Sequence, residues 1–267
     1  MFSLLQKRIL LTRAYCRQFN YALTPEELKL RLIDFKFSSP ISFKSLSIYQ
    51  DLALKKITEF RQILFLIKKI PWIQAVVVTG SVAMNNAKSS DDLDLLVICQ
   101  PNTLWLVRPI LLFLAFLLGK KRGKRGNHKD NSWCFNIFLE IDGLKIPNSG
   151  RNIFNAYELM QAKFIYDRSR VEAKWLQDNK WVERVLPNYY VARCVKLTHS
   201  YTNQPINRST NKLICWLNHL AFYLQYNYMK ASITREKVSL HAAWFHPRDT
   251  RKMVMERWRK SVKNLAS

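Results

Sequence analysis

Ten residues separate the pair Gly80-Ser81 from Asp92, and Asp94 follows one residue further on. Side chains alternate along a strand, so Asp92 and Asp94 project to one side, about 6.6 Å apart along it. Two carboxylates so placed can hold a divalent cation, and their hard oxygens suit Mg²⁺ or Mn²⁺. A Gly-Ser turn between strand and helix offers backbone N–H groups and a hydroxyl to a phosphate. A phosphate grip beside a cation grip is the minimum equipment for nucleotidyl transfer. The plain alternative is a turn with two solvated aspartates at a strand end. Against it stands the cost of leaving acids in an apolar strand without a partner.

These residues need elements to hold them. The runs Ala75-Val76-Val77-Val78 and Leu93-Asp94-Leu95-Leu96-Val97-Ile98 predict two short strands buried on both faces. Upstream, Thr24-Pro25-Glu26-Glu27 has the N-cap, first-turn proline and third-position glutamate of a helix start. That helix is expected to run toward Phe37 and stop at Ser38-Ser39-Pro40. A second helix is expected from near Ile48 to Pro71, with Ala53, Ile57, Phe60, Leu64 and Ile67 as its apolar stripe.

After the acids comes Leu104 to Leu118, the most hydrophobic window of the chain. Arg108 and Pro109 interrupt it, and spanning a bilayer takes about 20 apolar residues. It reads as a core helix, with membrane association as the alternative. Residues 120–129, KKRGKRGNHK, form a basic loop suited to a nucleic-acid backbone, a triphosphate or simply solvent. Trp133 to Ile141 alternates as a third strand, with Trp133, Phe135, Ile137 and Leu139 on one face and Cys134, Asn136, Phe138 and Glu140 on the other.

From residue 151 on, the pattern reads as all-helical. Ile153, Tyr157, Met160 and Phe164 form one stripe, and Leu213, Leu217, Leu220 and Leu224 another. Residues 198–210 read as a linker. The aromatic residues around Trp216, Phe222, Tyr223, Tyr226 and Tyr228 read as core rather than as a base-stacking platform. A basic final helix begins near His246-Pro247.

Gly-Ser followed by Asp-x-Asp resembles the signature of the polymerase-β-like nucleotidyltransferase superfamily. The longer string TGSVAMNNAKSSDDLDLLVI is similar to its prokaryotic "nucleotidyltransferase domain protein" branch. So are Cys134 to Leu139, Ala156-Tyr157-Glu158 and Phe245 to Asp249. The resemblance runs over roughly residues 45–260, and only its first motif is chemically specific. It implies Asp92 and Asp94 as catalytic metal ligands, with Gly80 and Ser81 as nucleotide binders. It also implies a third acid in the middle of the strand after the basic loop. Asn136 stands there instead, a departure that makes Asn136 and Glu158 the accessory candidates.

The expected architecture is α+β: a small mixed sheet forming a nucleotidyltransferase core at residues 45–150, a helical N-terminal segment at 1–44 and a helical C-terminal region at 151–267. The expected reaction moves a nucleoside monophosphate from an NTP to an unidentified small-molecule or protein acceptor, releasing pyrophosphate. An RNA-directed transferase is one alternative; a non-catalytic module that binds NTP or nucleic acid is the other.

Composition frames these readings. The chain has 267 residues, 48% of them hydrophobic, enough to bury a sizeable core. Forty-three basic against nineteen acidic residues leave a net charge of +24, which favours polyanionic partners, nucleic acid among them. Five scattered cysteines show neither a disulfide framework nor a zinc spacing and point to the reducing cytoplasm. The first 25 residues are basic and free of acid; they read as an amphipathic helix, with an organellar presequence as the alternative.

Overall fold

The computed structural model describes residues 3–37, 50–121, 132–198, 210–245 and 250–266. Most of the basic loop, nearly all of the expected linker and His246 to Asp249 lie outside the described residues, as does any start of the second helix before residue 50.

The chain opens with two capped helices, α1 (Leu4–Arg17) and α2 (Pro25–Arg31). In α2 the Thr24 hydroxyl accepts from the Glu27 N–H while the Glu27 carboxylate accepts from the Thr24 N–H, the reciprocal cap expected from the sequence. It stops at Arg31, well short of Phe37. The Asn188 side chain takes over the backbone here: its Nδ2 donates to the carbonyls of Lys29 and Phe35, and its Oδ1 accepts from the Phe37 N–H. A tertiary partner therefore replaces further helical hydrogen bonds.

Two helices, α3 (Gln50–Arg61) and α4 (Leu64–Lys68), precede the first strand, with a break where one continuous helix was expected. Ala53, Ile57, Phe60 and Ile67 are all buried, so the expected stripe faces the core. Then come β1 (Ile73–Val78), a single turn α5 (Gly80–Ala83), β2 (Leu93–Cys99), α6 (Leu104–Leu117) and β3 (Trp133–Glu140). The remainder is α7 (Ile153–Gln161), β4 (Lys163–Asp167), α8 (Val171–Asp178), α9 (Val182–Val185), α10 (Pro187–Thr198), α11 (Lys212–Met229), β5 (Lys237–Val238), β6 (Ala242–Trp244) and α12 (Thr250–Ala266).

The fold is mixed α+β, with one six-stranded sheet in the order β4-β1-β2-β3-β6-β5. β2 and β3 run parallel and the other neighbouring pairs antiparallel. The region after residue 151 is thus not all-helical, since it supplies β4, β5 and β6. Phe164 does not continue the helical stripe of Ile153, Tyr157 and Met160. The backbone turns extended at Ala162, and Phe164 pairs with Val77 of β1.

β1 and β2 are buried on both faces, as their apolar runs require. Ala75, Val77, Leu96 and Ile98 face a core closed by α1, α7, α8 and α9. Val76, Val78, Leu93, Leu95 and Val97 face a second core closed by α3, α4 and α6.

β3 departs from strict alternation. Its register to β2 shifts between Leu95 and Leu96, which pair with Phe135 and Ile137 and leave Asn136 as the extra residue of a bulge. Trp133, Phe135 and Phe138 consequently share one core, while Ile137 and Leu139 join the other. The single expected face of Trp133, Phe135, Ile137 and Leu139 is split by this one residue.

α6 forms where the hydrophobic window predicted a helix, but only one side of it is buried. Leu104, Trp105, Val107, Leu111 and Ala115 point inward, whereas Ile110, Phe113, Phe116 and Leu117 are exposed. Among the described residues, no helix is long and apolar enough to cross a membrane.

Candidate functional site

Gly80 and Asp94 meet where β1 ends. Gly80 has φ +65°, a left-handed conformation that suits glycine, and a side chain on it would run into the Asp94 carboxylate. Glycine is therefore required twice, for backbone shape and for space. The neighbouring Thr79 N–H donates to the Asp94 carbonyl at 3.0 Å, which fixes the turn against the start of β2. Ser81 follows in the first turn of α5, and its carbonyl accepts from the Asn86 N–H at 2.9 Å.

Asp94 is the second residue of β2 and lies on the same face as Leu96 and Ile98. Asp92 comes just before the strand and is partly exposed. Asp91 turns back into the preceding loop: its Oδ2 accepts from the Lys88 N–H at 3.0 Å. Of three successive acidic positions, one is thus committed to loop closure and the other two flank the strand's entry.

The loop is also held from below. The Lys56 ammonium, on the buried face of α3, donates to the carbonyls of Ser89 at 3.0 Å and Asp91 at 2.7 Å. Lys56 is only 5% exposed and lies between Ala53 and Phe60 on the inward stripe. Sequence reading passed over it, although a lysine inside an apolar helix face was a signal in plain view.

Across the parallel β2–β3 pair, Asn136 Nδ2 donates to Asp94 Oδ1 at 2.8 Å. Asn136 is 2% exposed, and its buried Oδ1 has no hydrogen-bond partner among the described residues. The bulge explains how it gets there: Asn136 and Ile137 project to the same side, facing Asp94 and the α7 layer. It thus occupies the place where the resemblance called for a third carboxylate.

Glu140 does not supply that carboxylate. The bulge turns it away from Asn136's face, contrary to the face assigned from the sequence. Its oxygens are taken by the Asn102 N–H at 2.7 Å and by His241 Nδ1 at 2.7 Å. Burial raises its pKa, and the hydrogen bond from His241 works against that rise.

Glu158, on α7, is recessed over the same face of the sheet as Asp94. Burial pushes its carboxyl up to about 7, and the Asp94 charge adds to the rise. α7 therefore brings a second acid into electrostatic range of Asp94, from a segment far away in sequence.

Lys163, the first residue of β4, pairs with Val78 and lies at the opposite end of α5. Its ammonium donates to the Val82 carbonyl at 3.3 Å and to Asn85 Oδ1. Burial lowers its pKa to about 8, with the Arg31 and Lys196 charges contributing. Periodicity hid this residue by reading it as part of a helix.

The groups a hard cation could draw on at this strand entry are oxygen donors: the Asp94 carboxylate, that of Asp92 just before the strand, and the Asn136 Oδ1. That donor chemistry fits Mg²⁺ or Mn²⁺. Among the described residues, no group of three or more histidine, cysteine or acidic side chains is placed so that it could hold a metal ion. Compared with known protein families, curated proteins and solved structures, the chain matches none.

Proposed function

We propose that the protein is a cation-dependent nucleotidyltransferase centred on Asp92 and Asp94. The observation that carries this reading is the close packing of Gly80 against the Asp94 carboxylate. It sets a Gly-Ser turn and an acid-bearing strand edge side by side in space, although the chain separates them by more than ten residues. Ser81 would offer its hydroxyl, and the turn its backbone N–H groups, to the nucleotide's phosphates.

The acceptor oxygen would attack the α-phosphorus, the bond to the bridging oxygen would break and pyrophosphate would leave. The acceptor's proton would pass to a nearby base, and Glu158 is the acid best situated on this face. A bound Mg²⁺ would neutralise the charge that develops on the phosphoryl oxygens. Asp92 and Asp94 would hold it, and Asn136 would fix the rotamer of Asp94 through its amide donor.

A second reading rests on Asn136 alone. An amide cannot act as a base, so the site could bind NTP and cation without turnover. One experiment separates the two readings. The protein is incubated with each labelled NTP, Mg²⁺ and a cell lysate, and label is followed into acceptors and pyrophosphate. Transfer that Asp92→Asn and Asp94→Asn abolish supports the enzyme. Mg²⁺-dependent NTP binding without transfer supports the binding module. Equal Mg²⁺-ATP affinity in the double variant and the parent refutes both.

A further inference from the structure

α11 packs Ala221, Phe222 and Met229 against the core beside two polar side chains, and carries a second apolar stripe on its outward side. Asn218 and Gln225 face the protein: Asn218 Oδ1 accepts from the Trp105 N–H at 2.8 Å, and Gln225 Nε2 donates to the Trp105 carbonyl at 2.8 Å. Arg108 of α6 adds a 2.8 Å bond to Gln225 Oε1. Asn218 is fully buried, while Leu213, Trp216, Leu220 and Leu224 lie on the opposite side, open to solvent. The spacing of three and four residues is that of one stripe. A water-facing helix normally shows the reverse arrangement, so an exposed stripe of this kind marks a contact surface.

α6 packs alongside and contributes Phe113, Phe116 and Leu117 from its own outward side, each about 60% exposed. Neither helix carries an acid: residues 104–121 and 212–230 contain no aspartate or glutamate. Cations stand at the borders. Lys212 and Lys230 bracket α11, and both are exposed. The Lys121 ammonium lies 5.7 Å over the Phe116 ring.

We propose that the outward sides of α6 and α11 dock on an anionic lipid membrane, with the helices lying in the interface rather than crossing it. Leucine and aromatic side chains would enter the acyl boundary, and the bordering lysines would reach the headgroups. Each lysine near an anionic surface adds electrostatic attraction that fades within a Debye length. Charge decides against a second copy of the chain, because two acid-free, lysine-bordered faces would repel each other. This inference is independent of the catalytic reading.

The test is co-sedimentation of the full chain with vesicles of phosphatidylcholine alone and of phosphatidylcholine mixed with phosphatidylglycerol. Binding to the mixed vesicles, weaker on phosphatidylcholine alone, is expected. Leu220→Glu/Leu224→Glu and Phe113→Glu/Leu117→Glu should each lower the partition coefficient by about tenfold or more. These side chains are exposed, so circular dichroism should stay unchanged. Three results overturn the proposal. One is no binding to either vesicle. Another is binding that both double variants leave intact, which would mean adsorption through net charge alone. The third is self-association in place of vesicle binding, seen by sedimentation velocity and removed by the same variants.

Discussion

The Asn136 amide donates to the Asp94 carboxylate across a β-bulge, at 2.8 Å. An amide and a carboxylate attract in this geometry, whereas two carboxylates would repel unless a proton or a cation lay between them. The bulge therefore puts Asn136 in contact with the acid most central to the site while leaving that acid stable without a metal.

Asn136→Asp inverts that balance. In the absence of a divalent cation it should destabilise the protein by about 1–3 kcal/mol, through a lost donor and a new like-charge contact. Millimolar Mg²⁺ should recover most of the loss, seen as a rise in thermal midpoint far larger than the parent shows. If the protein is an enzyme, transfer should be preserved or increased. A variant whose stability ignores both the substitution and Mg²⁺ would show that the carboxylates do not share a cation.

Gly80→Ala should be among the most damaging small substitutions in the chain. The added methyl meets the Asp94 carboxylate, and alanine must also adopt φ +65°. Gly119 provides the control, since it has the same φ and no described residue within 4 Å of the added carbon. Gly119→Ala should cost only the conformational strain, about 1–2 kcal/mol. Gly80→Ala should exceed it in urea unfolding and should also abolish Mg²⁺-dependent NTP binding. Equal losses in the two variants would mean that the contact with Asp94 has no energetic weight.

Lys56→Met keeps the length and apolar stem of the side chain but removes both hydrogen bonds to the loop carbonyls. A loss of about 1–3 kcal/mol is expected for the two acceptors left unpaired. The sharper readout is hydrogen exchange of residues 86–92, which should speed up in the variant while β1 stays protected. Unchanged exchange there would show that the loop is positioned by other contacts.

Which parts of this architecture were legible follows from the range of the forces involved. The Gly-Ser turn, the acid-bearing strand and the Thr24 cap are set by neighbours within a few residues, and the sequence shows them directly. β4 was hidden because Phe164 happens to fall at helical spacing from Met160 and Tyr157, and only pairing with β1 makes it extended. The bulge at Asn136 depends on how β3 meets β2, which alternation alone cannot reveal. α11 could be read as a helix but not oriented. The usual rule turns its leucines inward, and the buried hydrogen bonds of Asn218 and Gln225 reverse it.

Glu158 gives the fold a pH dependence near neutrality. Its carboxyl titrates at about 7 in the folded protein and near its ordinary value of 4.5 when unfolded. A raised acid favours its protonated form in the fold. Its contribution to stability is thus fully present below about pH 4.5 and is lost as pH rises through about 7. The rise from 4.5 to about 7, at about 1.36 kcal/mol per pH unit, bounds the size at about 3–4 kcal/mol. Glu158→Gln cannot ionise, so relative to the parent it should gain stability steadily between about pH 5 and 7 and level off above. Urea midpoints at pH 5, 6, 7 and 8 measure this. Because the Asp94 charge contributes to the shift, Asp94→Asn should reduce the slope without removing it, burial being the larger cause. Parallel stability curves for the parent and Glu158→Gln would mean that Glu158 ionises as it does in water and is not held over the site.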